Sequence, residues 1–196
     1  MKKLLVMAAA FSAFSLVFIY FILPAYMPEP EPERDFSAVG GDFQLETLDG
    51  PISRDDFAGQ AVMLFFGFTH CPDYCLASLA TKRQVLAELS DEELERVSGL
   101  FVSVDPDRDD LETLAEYTDF FHPRIVGATS SKSVIDEMTG KFFATYYFVD
   151  TPDSDLEYLV EHTTRTYLLG PDGQVADIFS YDDPYTAILA RIRQLI

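Results

Sequence analysis

Residues 61–75 read AVMLFFGFTHCPDYC. Ala61 to Phe68 is an unbroken apolar run, the pattern of a strand covered on both faces. Cys71 to Leu89 follows as a helix, with Leu76, Leu79, Val85, Leu86 and Leu89 along one side. A strand that hands a cysteine to a helix start sets the thiol against unsatisfied backbone N–H groups and the positive end of the helix dipole. Both favour thiolate, the form that attacks disulfides and binds metals. Pro72 suits the first turn of that helix. Cys71 and Cys75, four positions apart, are expected one turn apart on the same face, about 6 Å between Cα atoms, within the range a disulfide tolerates. The same pair can grip one metal ion. Spacing allows redox chemistry and metal binding, and chooses neither.

Strands and helices alternate outward from this segment. Asp42–Thr47 alternates as a strand before a turn at Asp49-Gly50, and Gly99–Val104 reads as a second buried strand. Leu111–Phe121 is helical, Arg124–Ala128 a short strand, and Ser131–Phe142 helical again. Thr145–Val149, Tyr158–Val160, Thr164–Leu169 and Gln174–Ser180 are strand-like, with Pro171-Asp172-Gly173 turning between the last two. Pro184 opens a final helix, Tyr185–Leu195. This order predicts an α/β domain with a central mixed sheet flanked by helices, the outline of a thioredoxin-like fold.

The N-terminus predicts an attachment. After Lys2 and Lys3, Leu4 to Leu23 carries no charge, and at about 1.5 Å per residue it spans roughly 30 Å, a bilayer core. A cleaved signal peptide has a shorter apolar region ending in a small-residue site, whereas this run ends Leu-Pro-Ala-Tyr, so the expectation is an uncleaved transmembrane anchor over residues 1–26. The paired lysines keep the N-terminus cytoplasmic, placing the chain in a bacterial inner membrane as a single-pass protein with its domain facing the periplasm. Residues 27–35, with prolines at 28, 30 and 32 between glutamates, form an extended linker. Residues 36–196 make the domain.

The chain of 196 residues holds 33 acidic and 14 basic side chains, a net charge of −19. That excludes a nucleic-acid partner, since phosphate binding needs a basic face. Two cysteines exclude a disulfide scaffold and a four-cysteine zinc site. A third ligand has to come from His70, His122 or His162. His122, in Phe-Phe-His-Pro, reads as a helix-end residue, and His70 as a supporting group that leaves the strand in a different direction from the helix face. His162 sits just before the strand Thr164–Leu169, in the loop where a redox thioredoxin-like protein carries a cis-proline. Here that loop reads His-Thr-Thr-Arg-Thr. Losing the proline and lengthening CxxC to CxxxC lead away from disulfide exchange, and two thiolates with an imidazole suit Cu(I).

The stretches Gly67-Phe-Thr-His-Cys-Pro-Asp-Tyr-Cys75, Val102-Ser-Val-Asp-Pro-Asp-Arg-Asp109, Val160-Glu-His162 and Tyr167-Leu-Leu-Gly-Pro-Asp-Gly173, in that order, resemble the Sco/SenC copper chaperones. The resemblance runs from about residue 40 to the C-terminus. It implies a thioredoxin-like fold, binding of Cu(I) or Cu(II) through Cys71, Cys75 and His162, and delivery of copper to the CuA centre of cytochrome c oxidase subunit II or another copper enzyme. An upstream copper donor or thiol reductant would complete the exchange. Leu76 stands where the family commonly has proline, and Glu161 where it commonly has aspartate. Asp105 and Arg108 match the family's Asp-Pro-x-Arg-Asp run and read as a strand-end turn with a salt bridge or helix cap, in preference to direct participation at the site. The competing expectation is a thiol–disulfide reductase that keeps the acceptor cysteines reduced, using Cys71 and Cys75 as its redox pair without His162.

Overall fold

The computed structural model describes residues 14–16, 18–22, 34–151 and 158–196. In chain order the elements are β1 (Gln44–Thr47), β2 (Gly50–Ser53), β3 (Ala61–Gly67), α1 (Tyr74–Ala87), α2 (Asp91–Leu94), β4 (Val97–Ser103), α3 (Leu111–Phe121) and β5 (Ile125–Ala128). They continue with α4 (Lys132–Lys141), β6 (Tyr146–Asp150), β7 (Tyr158–His162), β8 (Thr166–Leu169), β9 (Val175–Phe179) and α5 (Tyr185–Leu195).

The central sheet has the order β5-β4-β3-β8-β9. β3, β4 and β5 run parallel, β8 lies antiparallel to β3, and β9 antiparallel to β8. This is the expected mixed sheet flanked by helices. Every residue of β3 and β4 is buried, which is why β3 shows no alternation in the sequence. The turn after β8 is closed by Gly170 N–H donating to Gln174 O at 2.8 Å, with Gly173 at φ +75° in the left-handed region that glycine adopts freely. β6 and β7 form a separate two-stranded hairpin in which Tyr146 faces His162 across the ladder.

Two local expectations are corrected. The first helix begins at Tyr74, with Asp73 as its N-cap, so Cys71 and Pro72 precede it instead of forming its first turn. The cause is the proline: the residue before it is sterically pushed out of the α region, and Cys71 N–H instead closes a turn onto Phe68 O at 3.3 Å. The helix also ends at Ala87, and its buried face is Cys75, Ser78, Leu79, Lys82, Val85 and Leu86, whereas Leu76 points outward at 43% exposure. Second, β7 extends through His162, which therefore stands on a strand end, and β8 starts at Thr166. No cis peptide bond occurs among the described residues.

Residues 35–196 form one compact unit. The expected anchor falls largely outside the described residues, as do positions 27–33 of the expected linker. Phe18–Ile22 makes a short π-helix, and among the described residues no helix is long and apolar enough to cross a membrane.

Candidate metal centre

Three elements converge at the C-terminal end of β3. The turn after β3 supplies Cys71, the first turn of α1 supplies Cys75, and the end of β7 supplies His162. Their ligand atoms all lie within 4.8 Å of one another, and Cys75 Sγ is 3.4 Å from His162 Nε2. Cys75 is fully buried and Cys71 nearly so. Both are free thiols. A cleft of about 320 Å³ opens over Cys71 and His162, lined also by Phe68, Pro72, Tyr74 and Val160, with Cys75 buried behind it. A larger cleft of about 460 Å³ beside β1 and α4 contains neither cysteine nor histidine, so the ligand chemistry lies in the smaller one.

Gly67 makes the sulfur half possible. A Cβ built there would stand 2.8 Å from Cys75 Sγ and 2.8 Å from the Phe101 ring, so only glycine lets the helix start press onto the strand end. The loop between them is pinned by Asp109, which is fully buried. Its carboxylate accepts from Thr69 N at 2.9 Å, Thr69 Oγ1 at 2.5 Å and Ser103 Oγ at 2.6 Å.

The two sulfurs are driven apart in acidity. The Cys71 thiol is pulled down to about 4, chiefly by the Cys75 thiol hydrogen-bonding to it, while burial works the other way. Burial pushes Cys75 up, and the neighbouring Cys71 sulfur pushes it further. These opposite shifts favour a single thiolate, at Cys71, with the Cys75 thiol donating to it. A cation entering the site displaces that proton and meets two thiolates.

The imidazole is oriented by its own backbone. His162 Nδ1 lies 3.0 Å from Thr163 O, and since a carbonyl only accepts, Nδ1 carries the proton and Nε2 offers its lone pair towards the sulfurs. The rings of Phe65 and Phe68 meet the imidazole edge-on at 5.7 and 5.9 Å.

The remaining expected residues separate into distinct roles. Asp105, fully buried, pairs with Arg108 at 2.5 Å and accepts from Tyr158 Oη at 2.9 Å. Arg108 also donates to Tyr158 O at 2.9 Å and stacks 3.7 Å over its ring. The expected salt bridge is present, and it ties the His162 hairpin to the end of β4. His70 faces Thr69 and Asp109 and is outside the sulfur–imidazole cluster. His122 caps the end of α3, its Nδ1 accepting from Arg124 N at 3.1 Å. Glu161 accepts from Tyr147 Oη on the exposed side of the hairpin. Sequence reasoning missed Tyr158, whose signal was an aromatic at the start of a short strand, and Lys82, a charged residue at the helical spacing of the buried face.

Comparison with known proteins agrees with this geometry. The SCO1/SenC family model matches residues 31–196. The protein is similar to the human "Protein SCO1 homolog, mitochondrial", 38% identical over 156 residues, which cover 79% of this chain and 52% of that one. This match thus spans only about half the length of that relative. Among solved structures, apo Sco1 from Thermus thermophilus superposes with a TM-score of 0.75 at 33% identity, covering 83% of this chain and 95% of that one. Copper-bound ScoI from Bradyrhizobium japonicum superposes with a TM-score of 0.73 at 30% identity, covering 81% of this chain and all of that one.

Proposed function

The chain belongs to the SCO1/SenC family, and from that premise we propose that it is a membrane-anchored copper chaperone. It holds copper through Cys71, Cys75 and His162 and passes it to the CuA site of cytochrome c oxidase subunit II. The observation that carries the reading is the convergence of two sulfurs and an imidazole nitrogen within 4.8 Å under an open cleft. The copper held by the similar Bradyrhizobium japonicum protein supports it. Two thiolates and one neutral imidazole are a soft, three-donor set matched to Cu(I).

Transfer proceeds by ligand exchange. Copper is the cargo, gripped by three protein donors with one side open to the cleft, so a thiolate of the receiving protein can bind before a donor leaves. Each step trades one ligand for another and the ion is never free. The charge-free run from Leu4 to Leu23 supports a single-pass anchor in a bacterial inner membrane, with the N-terminus cytoplasmic and the domain in the periplasm. The test is His162→Ala. Copper affinity of the reduced protein falls at least about tenfold, since even partners that only support a ligand are worth about 10–100-fold. Dithiol–disulfide cycling of Cys71 and Cys75 persists. Unchanged affinity with intact cycling would instead favour a thiol–disulfide reductase, which needs Cys71 and Cys75 as its redox pair but not His162.

A further inference from the structure

Lys82 occupies a position that packing alone would give to an apolar residue. It lies on the buried face of α1, seven residues after Cys75, and is only 1% exposed. Seven residues are two helical turns, so Cys75 and Lys82 share a face about 10 Å apart along the axis. Helical side chains lean toward the N-terminus, which directs the long lysine stem back toward the cysteine turn. Ser78, between them on that face, buries a hydroxyl with no hydrogen-bond partner among the described residues.

The ammonium donates to Thr166 Oγ1 at 2.8 Å and stands 4.6 Å from the centre of the Phe65 ring, the ring that also meets His162. No carboxylate of the described residues pairs with it. Burial lowers its pKa to about 7, and a thiolate at Cys75, as a bound cation would create, pulls it back up. A buried cation without a carboxylate costs stability unless another anion compensates. The anion available is the site itself.

We propose that Lys82 is a positioning residue for charge: its ammonium is the internal counter-charge of the two-thiolate copper site and biases that site toward Cu(I) over Cu(II). This inference rests on the copper reading above. Two thiolates and a neutral imidazole around Cu(I) carry a net charge of −1, and around Cu(II) a net charge of zero. A positive charge at Lys82, held there by the two thiolates of the loaded site, therefore stabilises the Cu(I) form and leaves the Cu(II) form without that attraction. By way of the Phe65 ring the ammonium lies within about 10 Å of the imidazole. At that distance and an effective dielectric near 20, one unit charge is worth about a tenfold change in affinity ratio, which for a one-electron couple is about 59 mV.

The test compares the full chain with Lys82→Met, which keeps the length and removes the charge, and with Lys82→Gln, neutral but polar. Affinities for Cu(I) and for Cu(II) are measured by competition with a chelator of each ion. The expected result is an affinity ratio, Cu(I) over Cu(II), lowered about tenfold in both variants, with the three-ligand absorption signature retained. Lys82→Met also raises the apo melting temperature, because the buried charge is gone. A residue that acts only by packing would leave the ratio unchanged and would separate Met from Gln. An unchanged ratio in the variants, with copper bound by the parent chain, overturns this inference alone. A parent chain that takes up no copper overturns both it and the chaperone reading.

Discussion

The two halves of the candidate centre are held in different ways. The sulfur half belongs to the core: Cys75 is fully buried, it packs where Gly67 leaves room, and the Thr69 loop beside it is fastened to the buried Asp109 carboxylate. The imidazole half stands on a two-stranded hairpin outside the central sheet, and an isolated hairpin of this kind has little stability of its own. Its turn end is tied to the rest of the domain by Arg108 and Asp105, which reach Tyr158 four residues before His162. A rigid pair of sulfurs and a tethered third ligand are suited to exchange. In the proposed exchange the sulfurs would hold the geometry, and the imidazole would be the donor that leaves with least disturbance to the core.

The largest contrast lies in the sulfur half itself. With Cys71 lowered to about 4 from the ordinary 9.0 of a thiol, its thiolate fraction near neutral pH exceeds that of an unfolded cysteine by about a hundredfold. Alkylation of the reduced protein by iodoacetamide is expected to label Cys71 before Cys75, at a rate nearly independent of pH above about 5. The sign of the stability effect follows. Because the folded value is depressed, the contribution of Cys71 is absent below about pH 4 and grows as pH rises toward 9. The difference in urea midpoint between the parent chain and Cys71→Ser should therefore widen with pH. A constant difference would mean that Cys71 is an ordinary neutral thiol.

Arg108→Ala tests the tether. It leaves the fully buried Asp105 carboxylate without its cation, and breaking a buried pair from one side costs about 3 kcal/mol. It also removes the donor to Tyr158 O. Chemical denaturation should show that loss, and copper affinity should fall about tenfold through misplacement of His162, with Cys71 alkylation still pH-independent. Equal damage to the two halves would show that they are one cooperative unit and not a core with an attachment.

Much of the fold was legible in the sequence. The apolar runs of β3 and β4 and the Pro171-Asp172-Gly173 turn each rest on short-range physics, so central strands, hairpin and final helix lie close to where periodicity puts them. The helix start was not, because periodicity is blind to the veto that Pro72 places on Cys71. The same blindness put Leu76 on the buried face. His162 was legible as a candidate through its sequence neighbours, but its route to the sulfurs is a tertiary matter, set by Arg108 and Tyr158 fifty residues apart. Lys82 was illegible for a related reason: hydrophobic patterning assigns a lysine to solvent, and only the packed helix shows that this one is enclosed.

The smallest effect belongs to the exposed face of the same hairpin. Tyr147 Oη donates to Glu161, one residue before His162, and both side chains are exposed. A hydrogen bond in contact with water adds little, because either partner exchanges it for a water molecule on release, and an exposed change of this kind stays within about 0.5 kcal/mol. Tyr147→Phe should therefore leave the melting temperature nearly unchanged and copper affinity within about twofold. The charge next to His162 would then be a bystander to binding, and the anchor at Tyr158, at the turn end of the hairpin, its determinant. A loss approaching that of Arg108→Ala would reverse this ranking, making the exposed Tyr147–Glu161 pair the part that aims the imidazole.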